Sequence, residues 1–242
     1  MQFLKHIVLR ENFAPSLLSL FINPFYFARR GLYKAVNDFS ARISGKVLDV
    51  GCGTKPYQKL FLNAREYVGL ELDTETNRNS KNADFFYDGK VFPFNAAEFD
   101  SLVVNQVFEH VFNPSEFLSE LNRVVRLEGI LLLTVPFVWD EHEQPYDYAR
   151  YSSFGLKAVL AANGFEVVEA RKTSADIGVV FQLINAYLFK LTVTKSTLLN
   201  LMVCFFLMAP FNIVGALLAK ILPGNDDLYL DNVVVAKKVS NA

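Results

Sequence analysis

Short apolar runs alternate with amphipathic stretches between residues 45 and 172, and this alternation predicts strands and helices in turn. Residues 46–50 read as a first strand, 57–62 as a helix, and 67–72 as a second strand ending in acid. A short third strand falls near 83–87, and a fourth at 99–105, where Leu102, Val103 and Val104 have fully buried character. The next helix has Asn113 as cap, Pro114 in its first turn and Glu116 at the reciprocal capping position. Phe117, Leu118, Leu121, Val124 and Val125 then form one stripe at helical spacing, and Gly129 ends the helix. Residues 130–135 read as a fifth strand and 154–163 as a helix stopped by Gly164 in a left-handed cap. Strands at 165–170 and 232–236 complete the pattern. Such alternation predicts an α/β fold, doubly wound, with a mostly parallel seven-stranded sheet and helices on both faces.

Outside the alternating stretch the pattern changes twice. Residues 16–44 read as one or two helices broken near Asn23-Pro24. Phe25, Phe27, Leu32, Val36 and Phe39 supply apolar faces, with Arg29, Arg30 and Lys34 between them. A helical cover on the sheet edge is preferred to a membrane-surface anchor. Ahead of it, Arg10 and Glu11 cut the first apolar run too short for a secretory leader. Residues 196–219 carry no charge and are long enough to span a bilayer. A single crossing conflicts with strands of one sheet on either side of it, and Pro210, Asn212 and Gly215 interrupt the run. The expectation is an apolar helical hairpin that packs on the domain, dips into one leaflet or forms a homodimer; its apolar surplus marks an interface. The domain scheme is therefore a cover at 1–44, an α/β core at 45–172, an apolar insertion at 173–228, and the last strand and tail at 229–242.

Composition narrows the function classes. Of 242 residues, 52% are hydrophobic, which excludes disorder, and the net charge of -1 lacks the basic footprint of a nucleic-acid binder. Cys52 and Cys204 are far apart, so reduced, buried thiols in a cytoplasmic protein are expected, peripheral on the membrane if the insertion meets lipid. Cys52, between two glycines, reads as a small packed residue rather than a nucleophile.

The densest chemical signal is the run from Val47 to Tyr57, VLDVGCGTKPY. A buried strand enters a turn with Gly51 and Gly53, where backbone amides can approach a ligand, and Pro56 suits a helix start. Strand, glycine turn and helix N-terminus together predict a nucleotide-binding crevice. Pro56 occupies the third glycine position of G-x-G-x-x-G, which disfavours a nicotinamide dinucleotide and an oxidoreductase.

With Phe92-Pro93-Phe94, Phe99-Asp100, Glu109-His110, Arg123-Val124 and LLLTVP at 131–136, the chain resembles the type 11 branch of class I S-adenosylmethionine-dependent methyltransferases. The likeness covers roughly residues 45–172, and Glu128-Gly129 stands where that family often has Gly-Gly. It implies a Rossmann-like methyltransferase fold and S-adenosyl-L-methionine as cofactor. Gly51 and Gly53 would admit its methionine portion, with Asp49 facing the ammonium. Glu71, preferred over Asp73, would bind both ribose hydroxyls, and Asp88 would read the adenine amino group. Asn105 and Gln106 would face the ligand. The segment from His142 to Tyr151, HEQPYDYARY, is similar to one in a subset of that branch linked to cell-surface polysaccharide or lipid chemistry.

Methyl transfer needs alignment and, for some acceptors, a base. His110 and His142 are the candidates, since carboxylate neighbours fix a histidine's tautomer. Tyr146, Tyr148, Arg150 and Tyr151 offer aromatic faces and a guanidinium for stacking on a sugar or clamping an anion. His142 with Glu141, Glu143 and Asp147 has some chelating character, but no second histidine is expected nearby, so no metal is expected. The reading is transfer to oxygen of a small-molecule, glycan or lipid-linked acceptor. A catalytically silent cofactor-binding or scaffold protein that recruits partners through the apolar hairpin is the alternative.

Overall fold

A computed structural model describes residues 2–241. In chain order its helices are α1 (Gln2–Phe13), α2 (Ser19–Ile22), α3 (Tyr26–Phe39), α4 (Glu75–Ser80), α5 (Pro114–Val124), α6 (Ser153–Ala162), α7 (Gly178–Thr192) and α8 (Thr197–Ile221). Its strands are β1 (Ser44–Val50), β2 (Asn63–Leu72), β3 (Phe85–Tyr87), β4 (Phe99–Asn105), β5 (Val125–Pro136), β6 (Phe165–Lys172) and β7 (Asp231–Lys238). The chain forms two compact units. One holds residues 36–137, 141–171 and 232–242; the other holds 1–35, 138–140 and 172–231.

The first unit is built on a seven-stranded sheet in the order β3-β2-β1-β4-β5-β7-β6. β1 runs parallel to β2 and β4, β2 to β3, and β4 to β5. Strand order reverses between β1 and β4, so the crevice beyond their carboxyl ends is the place such folds bind ligands. Leu48, Val50, Leu70, Leu102, Val104, Leu131 and Leu133 are fully buried, and Leu118 and Leu121 of α5 and Leu156 and Leu160 of α6 pack into the same core. Strands covered on both faces need this near-continuous apolar character rather than alternation.

Three local expectations fail here. Residues 57–62 do not form a helix; only the 3-10 turn Gln58–Leu60 separates the glycine turn from β2, which starts at Asn63. Tyr57 and Phe61 are buried, so the apolar spacing there records packing of a tight loop, not a helix face. Gly129 does not end α5. The helix stops at Val124, and β5 begins directly at Val125, with a register irregularity between Phe99 and Ser101 that takes up residues 126–129. Asn113 sits at the N-cap, but its side chain does not cap; its amide donates to Glu116 Oε2 at 3.3 Å.

The second unit is helical. α1, which the sequence pattern did not announce, ends beside a buried carboxylate hub. Glu11 accepts hydrogen bonds from Ser16 N (2.9 Å), Ser16 Oγ (2.8 Å) and Ser19 Oγ (2.7 Å), and pairs with Arg10. Burial alone would raise its pKa, yet these donors outweigh it and hold Glu11 down at about 2.

The expected hairpin at 196–219 is instead one continuous helix. α8 absorbs Pro210 through a π turn at Cys204–Met208, which lies where the proline would otherwise clash with the preceding turn. Asn212 and Gly215 are not breakers but inward contacts. Asn212 Nδ2 donates to Leu20 O (3.1 Å) and Asn23 O (3.0 Å), and its Oδ1 accepts from Asn185 of α7 (2.9 Å). A Cβ at Gly215 would stand 2.8 Å from both Phe181 and Phe27. The opposite side exposes Leu198, Met202, Phe205, Phe206, Leu217 and Ile221. By length and composition α8 could cross a membrane, with mean hydropathy 2.3 over its apolar window.

Candidate active site

The glycine turn closes the carboxyl end of β1. Gly51 (φ +68°) and Gly53 (φ +51°) both adopt left-handed backbone, which glycine alone adopts without strain. Gly51 N donates to Leu70 O at 2.9 Å, and a Cβ there would meet Val107 Cγ2 at 2.3 Å. The loop after β4 is thus packed against the turn. At Gly53 the situation is reversed: a Cβ would meet nothing within 4 Å. Open space lies where a ligand would approach this backbone.

Glu71, one residue before the end of β2, reaches back to the turn. Its Oε1 accepts from Gly53 N at 2.6 Å and its Oε2 from Asn77 Nδ2 at 3.2 Å. Burial raises its pKa more than the backbone donors Gly53 and Leu72 lower it, and the charge of Glu143 adds to the rise. Asp73, its competitor, is paired with Arg78 and faces solvent.

Asp49 lies buried between β2 and β4 and accepts from Tyr67 Oη at 2.7 Å. Burial pushes its pKa up to about 7 against the opposing effect of that hydroxyl, with Glu71 adding to the rise. An acid whose pKa is raised on folding favours the protonated fold, so its cost grows as pH rises above the ordinary value of 3.8 and is complete above about 7. We expect Asp49→Asn to unfold at higher urea than wild type at pH 8, with a smaller difference at pH 5 and none below about pH 4. An equal shift at both pH values would contradict a raised pKa. The neighbouring Cys52 thiol is buried and pushed up to about 12 by burial and adjacent carboxylates, which leaves it inert.

Asp88 is exposed on the β3–β4 loop, and its Oδ1 accepts from Lys90 N (2.9 Å) and Val91 N (3.2 Å). Asn105 and Gln106 meet at the ends of β4 and β5 around Thr134. The threonine hydroxyl donates to Asn105 Oδ1 (2.7 Å) and accepts from Gln106 N (3.1 Å) and Nε2 (3.2 Å). Gln106 has φ +55°, which turns the chain sharply out of the strand.

That turn delivers the 3-10 segment Phe108–His110, and the parallel register of β4 and β5 places the loop after β5 beside it. His110 and His142 therefore stack edge to face with ring centroids 4.8 Å apart. Between them lies Glu109, fully buried: its Oε1 is 3.8 Å from His110 Nε2 and 3.9 Å from His142 Nε2. The premise that no histidine neighbours His142 is overturned. The loop is pinned through Tyr148 N and Ala149 N, which donate to Glu109 O at 2.9 and 3.2 Å.

Each histidine's other nitrogen is engaged. His110 Nδ1 lies 2.8 Å from Tyr146 O, and His142 Nδ1 lies 3.2 Å from Asp147 Oδ2. Asp147 is held by a bidentate pair with Arg150 at 2.6 Å, which lowers its pKa to about 2 despite burial. Arg150 thus orders the loop. Tyr151 stacks on Phe108 at 4.9 Å, and Tyr148 packs edge-on against Phe112 at 5.2 Å. Tyr146 and Tyr148 keep exposed ring surface.

Sequence reasoning left three contributors out of the site: Glu109, Thr134 and Tyr67. A usable signal existed for the first two, since residues just beyond the carboxyl ends of adjacent parallel strands converge. Tyr67 acts through Asp49, which only the pairing of β1 with β2 brings near.

Residues 48–133 match a family model described as a methyltransferase domain. A probable S-adenosylmethionine-dependent methyltransferase of Mycolicibacterium smegmatis is 29% identical over 139 residues, 52% of this chain and 54% of that protein. A malonyl-[acyl-carrier protein] O-methyltransferase of a Paenibacillus is 28% identical over 148 residues, 52% of this chain and 53% of that protein. The chain spans about half the length of these curated relatives. The crystal structure of an S-adenosylmethionine-dependent methyltransferase from Mesorhizobium loti has the same fold, with a TM-score of 0.55 at 11% identity, covering 86% of this chain and 97% of that one. The residues present fit that cofactor. The space at Gly53 admits a ligand against the backbone, and Glu71 offers two oxygens to a ribose diol. Between β1 and β2 the described chain has only a three-residue 3-10 turn, too short for the helix dipole that a pyrophosphate would want; a sulfonium nucleoside needs none. On these matches and this fit, residues 48–133 resemble a methyltransferase domain, and the cofactor is S-adenosyl-L-methionine.

Proposed function

We propose that this chain transfers a methyl group from S-adenosylmethionine to an oxygen of a small-molecule, glycan or lipid-linked acceptor. One observation carries the reading. Glu143 lies 4.0 Å from His110 Nε2, and its charge also raises the pKa of Glu71. The loop of polar and aromatic residues therefore borders both the ribose-binding acid and the histidine pair. Cofactor and acceptor would share one small enclosure.

When bound, the cofactor supplies an electrophilic methyl carbon on a positively charged sulfur. The chain's own work is placement and proton management. Glu71, Gly53 and Asn105 hold the donor, and Asp88 meets its base. The cluster of Glu109, His110 and His142 faces the acceptor and draws the proton from its hydroxyl. An oxygen nucleophile suits this cluster, because a hydroxyl gains most from losing its proton as the new bond forms. The exposed rings of Tyr146 and Tyr148 suit the apolar face of a sugar, with Arg150 and Tyr151 bracing the loop beneath them. The bare apolar side of α8 favours a lipid-linked acceptor and peripheral attachment to the cytoplasmic membrane face over a soluble, dimeric form.

The test is transfer of a radiolabelled methyl group from the cofactor into cell-envelope extract separated into lipid, glycan and small-molecule fractions. Label in one of these fractions, stable to mild hydroxylamine, fits an ether or an unactivated ester. Cofactor binding without label in any fraction would favour the scaffold alternative.

A further inference from the structure

Two polar contacts orient the histidine pair. A carbonyl oxygen at His110 Nδ1 and a carboxylate at His142 Nδ1 each require a proton on the nitrogen they face. Nε2 of each ring is then the nitrogen turned toward Glu109. Both point at the same oxygen, Glu109 Oε1, from 3.8 and 3.9 Å. Three potential ligand atoms thus converge on one point. The distances are too long for hydrogen bonds and suit a cation in the middle.

We propose that Glu109, His110 and His142 form a binding site for one divalent transition-metal ion of the zinc class. Two imidazoles and a carboxylate are a known donor set for such ions, which leaves at least one coordination position open. The three ligand atoms lie within 4.8 Å of one another. Ligand bonds of about 2.0–2.2 Å require donor separations of about 3–3.6 Å, so the widest pair closes by about 1–2 Å on loading. The surroundings are those of a supported metal site. A ligating histidine usually gives its second N–H to a carbonyl or carboxylate, and Tyr146 O and Asp147 supply one of each. Asp147 is in turn fixed by Arg150. Glu143, exposed and 4.0 Å from His110 Nε2, is in reach as a further ligand.

The chemical consequence rests on the methyl-transfer reading above, while binding itself does not. With metal bound, the cluster serves the acceptor's proton differently: an acceptor oxygen at the open position would be oriented and made more acidic, and its proton would pass to solvent instead of to a histidine. Arg150 and Asp147 are then positioning residues for His142 rather than contacts of the substrate.

The experiment uses the full chain, stripped with chelator and titrated with Co2+ and Zn2+. Visible absorption of the cobalt form and metal analysis after gel filtration are the readouts, and neither involves activity. The expected result is one metal ion per chain. His142→Ala, a change on the loop rather than in the core, weakens Zn2+ binding at least about 100-fold. Asp147→Asn weakens it about 10- to 100-fold through His142 alone. Glu109 is fully buried and its variants risk misfolding, so the loop variants carry the test. Wild-type protein that retains no metal, or His110→Ala and His142→Ala proteins that bind as tightly as wild type, overturns the site. Calorimetry with S-adenosylmethionine on the same stripped protein separates the two readings. Cofactor heat without metal uptake removes only the metal, and metal uptake without cofactor heat removes only the methyl transfer.

Discussion

Replacing Glu71 with alanine lowers affinity for S-adenosylmethionine at least about 100-fold in calorimetry. The carboxylate is the one group at the end of β2 with two oxygens directed into the crevice, bonded now to Gly53 N and Asn77 Nδ2. A ribose diol would replace or add to these donors with two charge-assisted hydrogen bonds of about 1.5–3 kcal/mol each. Losing both is about 3–6 kcal/mol, which is more than two decades of affinity. Glu71→Gln keeps the shape and one acceptor and should fall between. Asp73→Ala is the discriminating control: that carboxylate is spent on Arg78 at the surface, and its loss should change affinity less than about threefold. Acid should weaken binding as well. The pKa of Glu71 is raised by burial, so its acceptor form is lost above the usual range for a glutamate as pH falls. Equal affinity at pH 5 and pH 7.5 would argue against Glu71 as the anchor.

His142→Ala should leave cofactor affinity within about threefold of wild type and lower methyl transfer about 10²- to 10⁴-fold, the usual contribution of a group that manages the acceptor's proton. The separation follows from position. His142 stands on the loop after β5 with its ring against His110 and Glu109, whereas the ribose acid and glycine turn lie at the ends of β1 and β2. A variant that loses cofactor binding to the same degree as transfer would mean the loop shapes the donor pocket instead. Unchanged transfer would remove the histidine cluster from the chemistry altogether.

The parts of this molecule legible in its sequence are those where one residue type can do the job. Gly51 and Gly53 announce a turn because no other residue adopts their backbone without strain, and the buried runs of β1 and β4 have no helical period. Tyr57 and Phe61 misled because tight-loop packing buries residues at the same spacing as a helix face. Gly129 resembles a helix stop, yet the chain enters β5 at Val125 with no intervening loop. In α8, Pro210, Asn212 and Gly215 look like breaks until the partners are seen: a π turn absorbs the proline, while Asn212 reaches Leu20, Asn23 and Asn185. The histidine cluster was the least legible. Glu109 and His110 stand in one loop and His142 in another, and only the pairing of Asn105 with Thr134 across β4 and β5 brings these loops together.

Titrating the purified wild-type chain with S-adenosylmethionine and with its demethylated product, S-adenosylhomocysteine, is the most direct test of the crevice at Gly51, Gly53 and Glu71. One equivalent of either ligand should bind with measurable heat, and Glu71→Ala should weaken both at least about 100-fold. Folded protein that gives no heat with both ligands would contradict the assignment.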